Sequence, residues 1–456
     1  MKHIRPRSIA VCGGAFGDEG KGRIIDEWVN QFAAKGPVIV YRDNGGANAG
    51  HTVEFANGER LALHQLPSGI FSAKAIVVLG KGMVIHPIDL VTEIQGVEHA
   101  VGDHHHGTIK IDEMATLSLD THRAFEAVLK GWLDGYKAGT GRGISPAYAD
   151  VLLRQPMKIK DLKPFNREKF AKHYQLYAAW VKGLGMDLAQ VEVPKLDADG
   201  LVRVGSEAEF IARLEQAAKE LALYIEDVSE FIRTSWADTR YAFVFEKAQG
   251  LGLDVRWGAY PDVTASDITF EGITASTEGT VLVSAIKTKT AVIKGTYMSS
   301  VGSRKLPTMM TGSLAEQIRA DAHEYGATTK RPRDVAYLDL VLLKYLADVG
   351  KVDSYVLTHM DIVYPKTPIK VCVGYQIQGK PAAYRPDQEY LNQVKPVYKE
   401  LEPWDAEKIH AAKNFRDLPK EAKTFLQFVA KQLSRPIIMI TTGPKRHQGI
   451  RLRVRP

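Results

Sequence analysis

Short apolar, β-branched runs alternate along the chain with longer stretches whose apolar residues recur every three to four positions. The first run, SIAVCGG at 8–14, leads into a 3.6-residue period that predicts a helix over about 21–34. Further runs at 37–41, 75–79, 355–358, 370–373 and 436–440 are apolar almost throughout. Strands of that kind bury both faces, so the pattern predicts an α/β fold with a large, mainly parallel central sheet flanked by helices. The middle of the chain is more helical: 166–185 and 206–232 carry helical spacing with charged opposite faces, and VEVPKLDADG turns between them. The expected organisation is one α/β domain over 1–456 with a helical subregion inserted at about 100–235.

Composition narrows this picture. A chain of 456 residues with 45% hydrophobic content supports a full core. Lys and Arg total 60 against 53 Asp and Glu, a net charge of +7 that suits anionic small substrates. The basic runs KTKTAVIK, KRPR and GPKRHQGIRLRVRP are short and lack interleaved stacking aromatics, so no nucleic-acid partner is expected. No apolar stretch approaches the roughly 18 residues of a membrane span, so no membrane partner is expected either. Cys12 and Cys372 are far apart, which predicts buried free thiols and a reducing, cytoplasmic setting. The run His104-His105-His106 reads as a surface loop, because adjacent residues do not converge on one metal. The tail RLRVRP reads as solvated or packed on the body.

Chemistry concentrates where strands break into glycine. Residues 13–23, GGAFGDEGKGR, form a phosphate-loop-like segment whose backbone N–H groups and Lys21 suit an anion. It lacks the Ser or Thr that follows Lys in the strict P-loop pattern. Asp18 is then a helix cap, a Mg²⁺ ligand or a general base. In YRDNGGANAGHTV, Asn48 offers a donor and an acceptor, and His51 a proton or hydrogen bond to a phosphoryl oxygen. In AGTGRGISPAYADVLLR, Thr140, Arg142 and Arg154 suit a monoester phosphate.

Together GDEGKG, NAGHTV, LHQLPSGI, GTGRGISPAY, EKAQG, GAYPDVTAS, ATTKRPR, VLTHMD, IKVCVGY and TTGPKR resemble the adenylosuccinate synthetase family over about 13–450. The resemblance implies a carbon–nitrogen ligase in which GTP phosphorylates O6 of IMP and L-aspartate displaces that phosphate, giving adenylosuccinate, GDP and phosphate in AMP biosynthesis. It implies Asp18 as base and His51 as donor to the moving phosphoryl group. By the same resemblance, Mg²⁺ would be held by Asp18 and the Gly50 carbonyl. GTP would meet Gly17, Glu19, Gly20, Lys21, Gly22, His51, Thr52, His359, Asp361, Thr442 and Gly443, with Asp361 selecting guanine. IMP would meet Asp18, Asn48, Thr140, Arg154, Gln249, Thr264 and Arg331, and Arg154 would reach the site of a second subunit, implying a homodimer. L-Aspartate would meet Thr328, Thr329, Arg331 and Arg333. For Glu19 the residues themselves favour a structural role within the loop.

The chain departs from the family pattern at Lys330, where Gly is usual, at Pro332, at His359 in place of the Lys of TKLD, and at Ser300 in place of an Arg. Two alternatives follow: a variant that couples aspartate to GMP or dGMP, and a non-catalytic nucleotide-binding homologue. Asp18 favours IMP, since members that use a guanine acceptor tend to carry a smaller hydroxyl residue there.

Overall fold

A computed structural model describes residues 4–54, 60–102, 106–133, 139–196, 200–300, 304–326, 332–443, 445 and 448–456, with the side chains of 51–54 and 60 outside that description. The central sheet contains, in chain order, β1 (Arg5–Gly13), β2 (Val38–Arg42), β3 (Ala75–Leu79), β4 (Thr108–Asp112), β5 (Ile225–Glu226), β6 (Ala242–Gly250), β7 (Ile286–Lys294), β8 (Ser354–Thr358), β9 (Ile437–Thr441) and β10 (Gly449–Val454). Their order in space is β5-β4-β3-β2-β6-β1-β7-β8-β9-β10. Every neighbouring pair is parallel except β9 with β10.

The pleat of β1 shows why the strands are apolar throughout. Ile9 and Val11 join one buried cluster and Ala10 and Cys12 the other, so each face of the strand packs against a separate layer. The first layer includes α1 (Lys21–Ala33), which turns Ile24, Ile25 and Val29 onto the sheet. Helices α2 (Pro87–Val101), α3 (Asp120–Trp132), α4 (Ile144–Leu152), α5 (Arg167–Gly183) and α6 (Glu207–Leu221) follow, and α7 (Ser229–Ala237) precedes β6. Cys12 and Cys372 are both buried and free. No helix among the described residues is long and apolar enough to cross a membrane.

Two expectations need correction. The helix expected over 206–232 ends at Leu221, because β5 pairs there with β4 and the Asp227 carboxylate accepts from Ser229 N to start α7. The edge of the sheet satisfies that backbone where helical periodicity alone extends the helix. The run 370–373 is not in the central sheet. It lies in Ile369–Ile377, which pairs with Asp334–Asp339 and Lys395–Leu401 in a second, mixed sheet. The basic tail forms the edge strand β10, burying Ile450 and Val454 while Arg451 and Arg453 face solvent and protect the edge from further pairing. His104 and His105 lie outside the described residues.

Candidate active site

Parallel strands end on one edge of a sheet, and the glycine-rich segments follow that edge. The loop after β1 takes left-handed backbone at Gly17, Asp18 and Gly20, with φ of 93°, 55° and 89°. Gly20 is the N-cap of α1 and no side chain caps that helix, so Asp18 does not serve as its cap. The two adjacent carboxylates diverge. Glu19 is buried, its Oε1 accepts from the backbone N of Ala15 at 3.1 Å and Gly17 at 2.8 Å, and its Oε2 lies 3.4 Å from Lys21 Nζ. Its side chain therefore shapes the loop from within. Asp18 points outward, partly exposed, with Oδ2 at 2.6 Å from Arg333. The Thr358 hydroxyl at the end of β8 donates to the Glu19 carbonyl at 2.8 Å and ties the two strand ends together.

The segment after β2 is anchored to β6. A buried Asp43–Lys247 ion pair and a 2.9 Å bond from Ala248 N to Asn44 Oδ1 hold it. Beside it, Gln249 is fixed at φ 54°. Its amide oxygen and nitrogen, and Asn48 Oδ1, are buried without hydrogen-bond partners among the described residues. Buried amide groups are normally paired, so these edges outline a surface complementary to a polar ligand. His64, from the LHQLPSGI motif, sets Nδ1 at 2.6 Å from the Ala49 carbonyl and so orients the chain entering Gly50. His51 and Thr52 begin the strand His51–Glu54, where only their backbone is described.

Thr264 lies at this edge with its backbone N on Leu253 O at 2.8 Å. Arg304 answers the missing arginine at position 300. Its guanidinium donates to Ser300 Oγ and to Asp262 O, each at 2.6 Å, and lies 4.6 Å from the centroid of the Phe16 ring. Thr140 and Arg154 are exposed, before and after α4. Arg142, by contrast, is buried in the helical layer and donates to Lys195 O at 2.6 Å, so it is not presented to a phosphate. Helix α4 is clamped by Asp150, which accepts from His122 Nε2 at 3.0 Å and from Tyr177 OH at 3.1 Å. Although His122, Asp150 and His173 are close enough to share a cation, His122 Nδ1 accepts from Leu119 N. That bond puts the ring proton on Nε2, toward Asp150, and the cluster works as a hydrogen-bonded network rather than a metal centre. Thr328, Thr329, Lys330 and Arg331 lie outside the described residues.

The ends of β8 and β9 form the far side. His359 has φ 55°, and burial lowers its pKa to about 3, so its ring is neutral where the family pattern has a cationic Lys. Asp361 is half-buried, and burial raises its pKa. The Trp404 indole pins this turn by donating to Met360 O at 2.8 Å. Thr442 is buried, and the Gly443 carbonyl accepts from Arg23 at 2.5 Å. Arg23, Arg304, Glu324 and Lys294 pack around these candidate residues, and motif reading missed them. Only Arg23, next to GDEGKG, carried a local signal.

A phosphate-type loop and a half-buried carboxylate, Asp361, on one edge of a parallel sheet define the outline of a nucleotide-dependent α/β enzyme. The family model for adenylosuccinate synthetase matches residues 10–450. The chain is 33% identical over 448 residues to adenylosuccinate synthetase of Chlorobium phaeovibrioides, covering 96% of each chain. It is also 33% identical to the chloroplastic enzyme of Chlamydomonas reinhardtii, covering 97% of this chain and 90% of that one. The solved structure of fully ligated adenylosuccinate synthetase from Plasmodium falciparum superposes with a TM-score of 0.84 at 29% identity, over 98% of this chain and all of that one. A cyanophage S-2L succinoaminodeoxyadenylate synthetase bound to dGMP and dATP gives a TM-score of 0.58 at 16% identity over 97% of this chain and 94% of that one, and so shares the fold alone. The chain belongs to the adenylosuccinate synthetase family of ligases.

Proposed function

We propose that this chain ligates L-aspartate to IMP at the expense of GTP, giving adenylosuccinate, GDP and phosphate through 6-phosphoryl-IMP. The observation that carries the reading is the outward carboxylate of Asp18, on the same sheet edge as the unpartnered Gln249 amide, the unpartnered Asn48 Oδ1 and Asp361. Asp18 takes the N1 proton of IMP, and O6 attacks the γ-phosphorus of GTP as the bond to the GDP oxygen breaks. The amine of aspartate then attacks C6, and O6 departs with the phosphate. Backbone N–H groups at Gly20 and Gly22 with Lys21 stabilise phosphoryl charge. Gln249, Asn48, Thr264, Thr140 and Arg331 hold IMP, His51 donates to the moving phosphoryl group, and Thr52, His359, Thr442 and Gly443 line the GTP side. Thr328, Thr329, Arg331 and Arg333 receive aspartate.

The Asp18 carboxylate and the Gly50 carbonyl are hard oxygen donors of the kind Mg²⁺ prefers. Of the two loop carboxylates only Glu19 is consumed by backbone N–H groups, which leaves Asp18 for this role. Bound Mg²⁺ neutralises charge on the phosphoryl oxygens. A homodimer is supported by exposed apolar side chains at the C-terminal ends of α3 and α4. Trp132 is 61%, Leu152 85% and Leu153 58% exposed, and Arg154 follows directly. Sedimentation as a monomer in the presence of IMP contradicts this assembly.

The route through O6 has its own test. With IMP carrying ¹⁸O at O6, mass spectrometry is expected to find the label in the released phosphate. Unlabelled phosphate overturns phosphorylation at O6.

A further inference from the structure

Arg333 is held from two sides. Its Nη2 meets Asp18 Oδ2 at 2.6 Å, and its Nη1 donates to Glu324 Oε2 at 3.0 Å. Its Nε is buried and has no partner among the described residues. Glu324 is 1% exposed, and its other oxygen accepts from Lys294 Nζ and from Tyr297 OH, the latter at 2.6 Å. Lys294 is buried as well and donates to Ser299 Oγ at 2.6 Å. The backbone repeats the clamp, since Arg333 N donates to Glu324 O at 2.8 Å and Tyr325 bridges Pro332. Two cations and a phenol converge on one carboxylate, and they hold its pKa down to about 2, so it stays anionic throughout the working pH range.

A guanidinium recognises a carboxylate best when its plane is fixed before the ligand arrives. Glu324 consumes the Nη1 end and leaves Nε, beside the Nη2 that meets Asp18, for an incoming anion. Without Glu324 the guanidinium is free to turn, and Asp18 becomes its main anionic partner. We propose that Glu324 is a positioning residue of the ligase reaction: it touches no substrate but fixes Arg333 between Asp18 and the incoming L-aspartate, and so sets the affinity for that substrate. The proposal rests on the reading of Arg333 as an aspartate contact, and the variants below separate the two.

Glu324→Gln is expected to raise the KM for L-aspartate about ten- to a hundredfold, the range for loss of a charge-assisted hydrogen bond. The KM values for IMP and GTP should stay within about twofold. Glu324→Asp, which keeps the charge, is expected to recover part of the loss. Because Glu324→Gln also strands the buried Lys294, the double variant Lys294→Met/Glu324→Gln removes the orphaned cation, and thermal melting reports whether the fold is restored. A raised KM for aspartate in a double variant that melts normally supports the proposal. A normal KM in that double variant overturns it, as does an equal rise for all three substrates in Glu324→Gln. Arg333→Ala tests the underlying reading: an unchanged KM for aspartate removes Arg333 from the aspartate site. A raised one beside a normal double variant defeats the role of Glu324 alone.

Discussion

Replacing Asp18 by alanine is expected to lower kcat about a hundred- to ten-thousandfold, the usual range for loss of a positioned general base. Asp18 stands at φ 55° on the loop, outside the helix it precedes, and its side chain neither caps α1 nor accepts from the backbone of its own loop. Its one described partner is Arg333, itself a contact proposed for substrate. Removal therefore costs little structure, and the melting temperature should hold while turnover collapses. Asp18→Asn is the sharper variant, because it keeps the shape and removes the basicity. The neighbouring Glu19→Ala behaves in the opposite way. It strands the amides of Ala15 and Gly17 and lowers stability by about 1–3 kcal/mol. Near-normal turnover by Asp18→Asn would falsify the assignment of the base.

The second large effect concerns the choice of phosphoryl donor. Asp361→Asn is expected to lower kcat/KM for GTP about a hundredfold, because one acceptor for the N1–H and 2-amino donors of guanine becomes a donor that opposes the 2-amino group. Xanthosine triphosphate carries an oxygen at position 2, so the same variant is expected to use it better than the parent does. Trp404 holds this turn through Met360 O, which keeps the carboxylate in place for recognition. His359 is neutral, so the guanine recognition proposed here rests on the carboxylate rather than on a cation beside the base. Equal losses with GTP and xanthosine triphosphate would show that Asp361 acts only structurally.

The edge of the sheet was legible in the sequence because each site segment is a place where an apolar run meets glycine or a small polar residue. The strand ends at Gly13, Thr358 and Thr441 announce themselves in that way, and Arg42 is followed directly by Asp43-Asn44-Gly45. The direction of a side chain did not, since Asp18 and Glu19 are adjacent in sequence yet face opposite sides of one loop. Long-range pairs were equally silent. Glu324 meets Lys294 across 30 positions and Arg304 settles beside Phe16, contacts that only the folded sheets create. Periodicity misjudged 206–232 because a two-residue edge strand carries no period of its own.

The most direct measurement is product formation from each acceptor. Purified protein with GTP, Mg²⁺ and L-aspartate is supplied with IMP, GMP or dGMP, and the nucleotide products are separated and weighed by mass spectrometry. IMP alone is expected to give a new nucleotide, adenylosuccinate, with one GDP and one phosphate released per product. Turnover with GMP or dGMP and none with IMP would contradict the ligation proposed for this chain, and so would GTP binding with no product from any acceptor.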